Sequence, residues 1–170
     1  MTAFLYVSVL LVMLYVGVAI WRKRKLPESI SAMVYILPEG GWRWLWSLWL
    51  IVVSVLTFSP VIEVLDKRGL GVLAFLPIVF NMFVAVWPLY DTEHKPWHYA
   101  FGIASGVMSQ VCVWLLNPYW LWLWMLIIVI PMTYRILWQK SVPVWMWSIG
   151  VLFAEVICYV SVIGARVITC

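Results

Sequence analysis

The feature that most constrains this chain is the recurrence of apolar runs of roughly 18 residues or more, the length that an α-helix needs to cross a bilayer. The runs are longer than the strands of membrane β-barrels and lack their two-residue alternation, so we expect helices. Because the 170 residues are 66% hydrophobic and only 11% charged, one small water-soluble core cannot bury this much apolar surface. The sequence therefore predicts an all-α integral membrane bundle, a single transmembrane domain over residues 1–170 without a soluble domain.

Six transmembrane helices account for the apolar runs. Their expected limits are 2–20, 44–64, 70–89, 97–116, 119–138 and 144–168. Between the first two lies a shorter apolar run, bounded by Pro27 and Pro38, which is too short to cross. We expect a short interfacial helix over about 29–37, capped by Ser29 or Glu28, with a re-entrant hairpin as the alternative.

The basic residues indicate an orientation. A cluster at 22–25 directly follows the first apolar run, and loops rich in Lys and Arg stay on the cytoplasmic side. Because the charges follow the run and a small-residue cleavage pattern is missing, we expect a retained span with its N-terminus outside, not a signal peptide. The inner side then holds eight basic residues, at 22–25, 43, 95, 135 and 140, and the outer side three, at 67, 68 and 166.

The same composition limits the partners. The net charge of +4 does not indicate nucleic-acid binding, because such binding needs a solvated basic face that an apolar bundle lacks. Membrane lipids and another membrane protein are the partners that we expect. We place the chain, as a multi-pass protein, in a bacterial inner membrane.

The stretch 90–98 gathers both histidines of the chain between two spans. Asp91, His94 and His98 have i, i+3, i+7 spacing, which on a continuous helix would aim them at one ion, and imidazole with carboxylate suits zinc. Pro96 opposes a continuous helix, since proline is tolerated only in a first turn. The alternative is that acidic residues cap the fourth span and the histidines lie at a wet interface. Zinc is thus a hypothesis, and we expect no other cofactor.

The fourth span carries small residues along one side. They are Gly102, Ser105, Gly106 and Ser109, with Gln110 nearby. Small residues at this spacing let helices approach closely, so Gly102 and Gly106 predict helix packing. If the bundle contains a cavity, we expect this side to line it.

Glu155 lies near the middle of the sixth span, where a bare carboxylate is expensive. We expect it inside the bundle, in or beside a polar cavity, with Asn81 of the third span as its partner. A neutral carboxyl group that is hydrogen-bonded to a neighbouring helix is the structural alternative. By contrast, Arg135, Glu63 and Arg166 lie near span ends, where we expect them to snorkel.

Two segments carry a family resemblance. They are Leu26-Pro-Glu-Ser-Ile-Ser-Ala32, before the second span, and His98-Tyr-Ala-Phe-Gly102, at the start of the fourth. They resemble the Pro-x-Ser-Ile-Ser and His-x-x-x-Gly/Ala signatures of Frag/DRAM/Sfk-type six-span proteins. That group is distantly similar to the CREST intramembrane metal hydrolases, which include alkaline ceramidases. The resemblance covers about a dozen residues.

The resemblance implies an activity as well as a fold. A CREST hydrolase would use a serine, an aspartate and three histidines around zinc, and the metal-bound water would attack a lipid amide or ester. Four of these places would be filled by Ser29 or Ser31, Asp91, His94 and His98. The third histidine is missing, because the chain has only two. The resemblance therefore supports the fold more than the hydrolysis.

We expect a non-enzymatic function: a small multispanning protein that acts through lipid contact or as a partner in a membrane assembly. Two alternatives stay open. One is an intramembrane metal-dependent lipid hydrolase that uses the stretch 90–98. The other is a small transporter with Glu155 and Asn81 at its midplane site.

Overall fold

The structure is a computed structural model that describes residues 2–24, 29–37, 43–87, 95–138 and 144–168. Every regular element in these ranges is helical, which confirms the all-α prediction. The α-helices are α1 Thr2–Lys23, α2 Trp44–Asp66, α3 Gly71–Val86, α4 Lys95–Leu116, α5 Met125–Trp138 and α6 Val144–Ile168. Two short 3-10 helices, Ser31–Ile36 and Pro118–Trp124, complete the described elements.

Four helical segments are long and apolar enough to cross a membrane. They are Ala3–Arg22, Trp44–Asp66, Lys95–Leu116 and Gly150–Ile168. The other two apolar segments, Gly71–Val86 and Pro118–Tyr134, are shorter. The 16 residues of α3 rise about 24 Å, less than the roughly 30 Å of a hydrocarbon core. By length and composition, four helices among the described residues are therefore candidates for crossing a membrane.

Local sequence explains where several helices begin and end. α4 begins at Lys95 with Pro96 in its first turn, where the missing N–H of proline costs nothing. The turn between α2 and α3 closes on Gly69, whose φ of 71° favours glycine. There the Gly69 N–H donates to the Asp66 carbonyl over 2.9 Å. This tight turn makes α2 and α3 antiparallel neighbours.

The predicted fifth span, 119–138, is not one continuous α-helix. The chain winds as a 3-10 helix over Pro118–Trp124 before α5 begins at Met125. Its Trp120 ring lies against α6 where a Cβ on Gly164 would overlap it. Its Trp124 Nε1 donates to Gln110 Oε1 of α4 over 2.9 Å. Both tertiary contacts accompany the tighter winding, in which side chains three residues apart share a face.

The helices pack side by side: α2 contacts α3, α3 contacts α4, and α4 contacts α6, while α1 packs against α2. At one end of this bundle, which we call the packed end, the second halves of α2, α4 and α6 meet the first half of α3. The buried core there consists of Phe58, Val61, Leu65, Ala74, Ile78, Cys112, Val113, Leu116, Val162 and Ala165. Close packing of such side chains is what holds helices together in lipid, because lipid removes the hydrophobic drive.

At the packed end, the expectation that Arg166 snorkels is wrong. Its side chain does not snorkel: the residue is buried, and its Nε donates to the Pro60 carbonyl of α2 over 2.9 Å. Its Nη2 lies 4.0 Å from Oε2 of Glu63. The end of α6 lies beside α2, so an acceptor inside the protein replaces water. The side chain of Arg135 lies outside the described residues.

The segment 29–37, which we call the inserted segment, contains the 3-10 helix Ser31–Ile36 and packs against the long helices. Ser29 Oγ accepts from the Ala32 N–H over 3.0 Å, as expected of a cap. The Ile30 N–H, however, bonds Glu155 near the middle of the 25-residue α6, and Val34 is fully buried against Trp46 and Val84. The segment therefore packs between helices, where the carboxyl group offers its backbone an acceptor. Its placement at the membrane interface stays a prediction.

Candidate functional site

A cavity of about 950 Å³ lies between the helices and adjoins the packed core, since Phe58 and Val162 belong to both. All described elements except α5 contribute to its wall, which is mostly apolar and aromatic. Its size and lining are those of ligand pockets, which are typically roughly 300–1,000 Å³ with a few polar groups on an apolar wall.

The structure brings every described member of the predicted site to this one wall. These residues are Ser29, Ser31, Asn81, His98, Gly102, Ser105, Gly106, Ser109, Gln110 and Glu155. Asp91 and His94 lie outside the described residues. The polar groups that sequence analysis singled out on separate spans thus share one internal space.

Glu155 and Asn81 both line the cavity but have separate partners. Glu155 Oε2 accepts from the Ile30 N–H over 2.6 Å, and Asn81 Nδ2 donates to Ser54 Oγ over 2.8 Å. The expected direct pairing is therefore wrong, because the inserted segment supplies the donor. Glu155 Oε1 makes no hydrogen bond within the described part of the chain and is available to a ligand.

The small residues of α4 differ in what they contact. Ser105 Oγ donates to the Pro77 carbonyl over 3.2 Å, and Cys112 Sγ lies 3.6 Å from the Leu73 carbonyl, so this side packs on α3. Gly106 faces α6, where an added Cβ would lie 3.7 Å from Cys158 Sγ. Gly102 is not a packing contact, since an added Cβ would meet nothing within 4 Å.

Gln110 lines the cavity and is held by three hydrogen bonds. Its Oε1 accepts from Trp124 Nε1 over 2.9 Å and from Ser161 Oγ over 3.1 Å. Its Nε2 donates to Ser109 Oγ over 3.1 Å. These bonds join α4, the second 3-10 helix and α6, so the amide has a positioning role.

A second polar cluster was not singled out from the sequence. Ser8 Oγ of α1 lies 2.7 Å from Thr57 Oγ1 of α2 and 2.5 Å from the Tyr159 hydroxyl of α6. Thr57 and Tyr159 also line the cavity. The available signal was the presence of hydroxyl residues within three apolar spans, since such groups hydrogen-bond across helices in membranes.

His98 has a structural partner. The residue is buried, and its Nδ1 lies 2.8 Å from the carbonyl of Trp87, just after α3 ends. The imidazole thereby satisfies a carbonyl that the end of α3 leaves without an intrahelical partner. Nδ1 must carry a proton for this bond, so Nε2 is an acceptor in the neutral imidazole. His98 thus does not lie at a wet interface.

The zinc hypothesis rests on residues that the structure describes only in part. Within the described ranges, no three His, Cys, Asp or Glu side chains cluster so as to hold a metal ion. The orientation of His98 fits a ligand, since metal-binding histidines often donate their other N–H to a carbonyl. The set Asp91, His94 and His98 stays a prediction.

One buried donor on the wall has no partner. The Trp46 side chain is fully buried, and its Nε1 makes no hydrogen bond within the described residues. Its ring lies 6.1 Å from that of His98. A buried unpaired N–H costs free energy, and this nitrogen is too enclosed for a ligand in the cavity to reach it.

No protein-family model, no curated protein and no solved structure matches this chain. The resemblance to Frag/DRAM/Sfk-type proteins therefore stays a prediction, and the site's own chemistry has to carry the functional interpretation.

Proposed function

We propose that this chain is a non-enzymatic, multi-pass membrane protein that acts through lipid contact, by binding one amphiphilic, lipid-class molecule in the cavity between its helices. The observation that carries the proposal is the cavity of about 950 Å³ with polar groups from five elements on an otherwise apolar wall. An amphiphile matches such a wall, because its tail replaces lipid contact while its head satisfies the polar groups.

The position of the cavity mouth supports the same proposal. Exposed apolar residues of α4 and α6 belong to the cavity wall, among them Ile103, Val107 and Val151. They lie on helices that are long and apolar enough to cross a membrane. A ligand that enters between these helices would come from the acyl-chain region and not from water.

An unpartnered polar group supports an amphiphile over a plain hydrocarbon. Glu155 Oε1 makes no hydrogen bond with the described residues, while Oε2 accepts from Ile30. The carboxyl group is an acceptor when ionised, so a head group with a hydrogen-bond donor would satisfy it.

The test uses a glycine that opens onto the cavity. Gly102→Leu should fill part of the cavity without displacing a neighbour, because a Cβ there meets nothing within 4 Å. We expect native mass spectrometry of the detergent-purified protein to show one retained amphiphile in the wild type and at least roughly tenfold less in the variant, as for any ligand that loses about 1.4 kcal/mol.

The matched control is Gly17→Leu, on the exposed face of α1, where an added Cβ also meets nothing within 4 Å. It should retain the bound molecule. Equal retention by Gly102→Leu and the wild type, with both proteins folded, would contradict binding in the cavity.

A transporter is the second candidate, because Glu155 and Asn81 line one cavity near the middle of their helices. Ionisable residues at such depth often mark substrate or proton pathways. Proton-coupled flux into vesicles that Glu155→Gln abolishes would favour transport.

Metal content tests the metal-dependent hydrolase. This function would be favoured if the wild type binds zinc and the double variant His94→Ala, His98→Ala does not.

A further inference from the structure

The charges around the cavity suggest what kind of head group it takes. Among the described lining residues, Glu155 supplies the only carboxyl group, and none is a lysine or an arginine. The ion pair of Arg166 with Glu63 lies at the packed end, and neither residue lines the cavity. The described part of the cavity wall can therefore carry a negative charge and holds no fixed positive one.

An anionic head group is disfavoured by this wall. A phosphate or carboxylate in an apolar site needs a cation or several donors to replace its water. The described donors are mostly committed: Gln110 Nε2 to Ser109, Asn81 Nδ2 to Ser54, and the Ile30 N–H to Glu155. An anion would also face the Glu155 carboxyl group at close quarters.

A cationic head group, by contrast, is favoured by this wall. Glu155 lies near the middle of α6, where an ionised carboxyl group needs a partner. Its Oε1 is not engaged by the described residues, while Oε2 is held by Ile30, so the group is oriented but has no counter-charge. A ligand ammonium would supply that charge.

Aromatic rings on the wall add to this preference. Tyr159 stands one helical turn after Glu155 and lines the cavity, as do Trp49, Trp114 and Trp124. Aromatic faces attract cations, most strongly where water is excluded. A carboxylate together with Trp and Tyr rings is the chemistry that recognises an organic ammonium group.

We infer that the ligand of this cavity is a cationic amphiphile, an apolar chain with a protonated amine or quaternary ammonium head that pairs with Glu155. The inference rests on the proposed function and specifies the ligand class for the same cavity.

The test compares three probes that share one chain and differ in head charge. Dodecylamine is protonated near neutral pH, as a lysine side chain is, whereas dodecanol is neutral and dodecanoate is an anion. Binding of each radiolabelled probe to the full-length protein in maltoside micelles is measured against micelles alone. We expect the wild type to bind dodecylamine about tenfold more tightly than dodecanol, the gain of one partly desolvated ion pair and its ring contacts.

Two variants assign that preference to Glu155. Glu155→Gln can still accept from the Ile30 N–H, so the fold should be retained, and we expect it to lose the roughly tenfold preference while dodecanol binding stays within about twofold. Glu63→Gln removes the same charge outside the cavity, and it should keep the preference.

The outcomes separate the inference from the proposed function. Equal binding of dodecylamine and dodecanol, unchanged in Glu155→Gln but reduced in Gly102→Leu, would overturn the inference and leave the amphiphile cavity standing. Tighter binding of dodecanoate would also overturn the inference. Binding of every probe that Gly102→Leu leaves unchanged would overturn both.

Discussion

The two ends of the bundle differ in how they use their polar residues. At the packed end, apolar side chains such as Leu65, Val61 and Ala165 are fully buried, and the Arg166 side chain is satisfied by a backbone carbonyl. Among the described residues at the cavity end, Trp46 Nε1 and Glu155 Oε1 make no hydrogen bond, and Glu63 Oε2 makes none at the packed end. The packed end thus relies on close apolar packing, whereas Glu155 lines an open space, as is typical of sites that await a ligand.

The comparison predicts that substitutions at the packed end cost more stability than substitutions at the cavity. The largest effect is expected for Leu65→Ala. Leu65 is fully buried in the core of α2, α3, α4 and α6, so the variant leaves a void that costs about 2–4 kcal/mol. Thermal or denaturant unfolding in detergent measures this loss.

The control for that variant is Leu48→Ala, on the same helix but with an exposed side chain. It should change the free energy of unfolding by less than about 1 kcal/mol. Equal losses for the two leucines would show that the packed end contributes no special stability.

A somewhat smaller effect is expected for Gly164→Ala. The new Cβ would overlap the Trp120 ring, so the second 3-10 helix must move, at a cost of about 1–3 kcal/mol. Gly150→Ala in the same helix is the matched control, since its Cβ meets nothing within 4 Å and alanine favours a helix. A stable Gly164→Ala protein would mean that Trp120 does not lock α6.

The smallest effect is expected at the cavity. Glu155→Leu removes the acceptor of the Ile30 N–H, which should cost about 1 kcal/mol and speed hydrogen exchange of that amide about fivefold. Glu155→Gln retains an acceptor and should keep the protection. Unchanged exchange in Glu155→Leu would contradict the hydrogen bond that holds the inserted segment.

Much of the fold was predictable because each apolar helix is encoded locally. The limits of α2, α4 and α6 follow from apolar length, from Pro96 and from the turn at Gly69. The break at Pro118–Trp124 was not predictable, because it coincides with contacts of Trp120 and Trp124 with residues distant in sequence. Periodicity within a segment carries no information about such contacts.

The candidate site was predictable in its members but not in its pairing. Glu155 and Asn81 stood out because polar residues are costly at mid-membrane depth, and both line the cavity. Their partners, Ile30 and Ser54, were missed, since one is a backbone group of an inserted segment and the other a common hydroxyl. Gly102 was assigned to packing because spacing alone cannot distinguish a helix contact from an opening.

The most direct test of the account is photolabelling by a diazirine-bearing dodecyl amphiphile in the membrane, with the labelled peptides mapped. The cavity should yield saturable labels in the part of α4 around 98–110 and the part of α6 around 151–159, which excess unlabelled amphiphile removes and Gly102→Leu reduces. Labels spread evenly over the exposed apolar faces, including Leu48 and Val72, with none removed by competition, would contradict a ligand site between the helices.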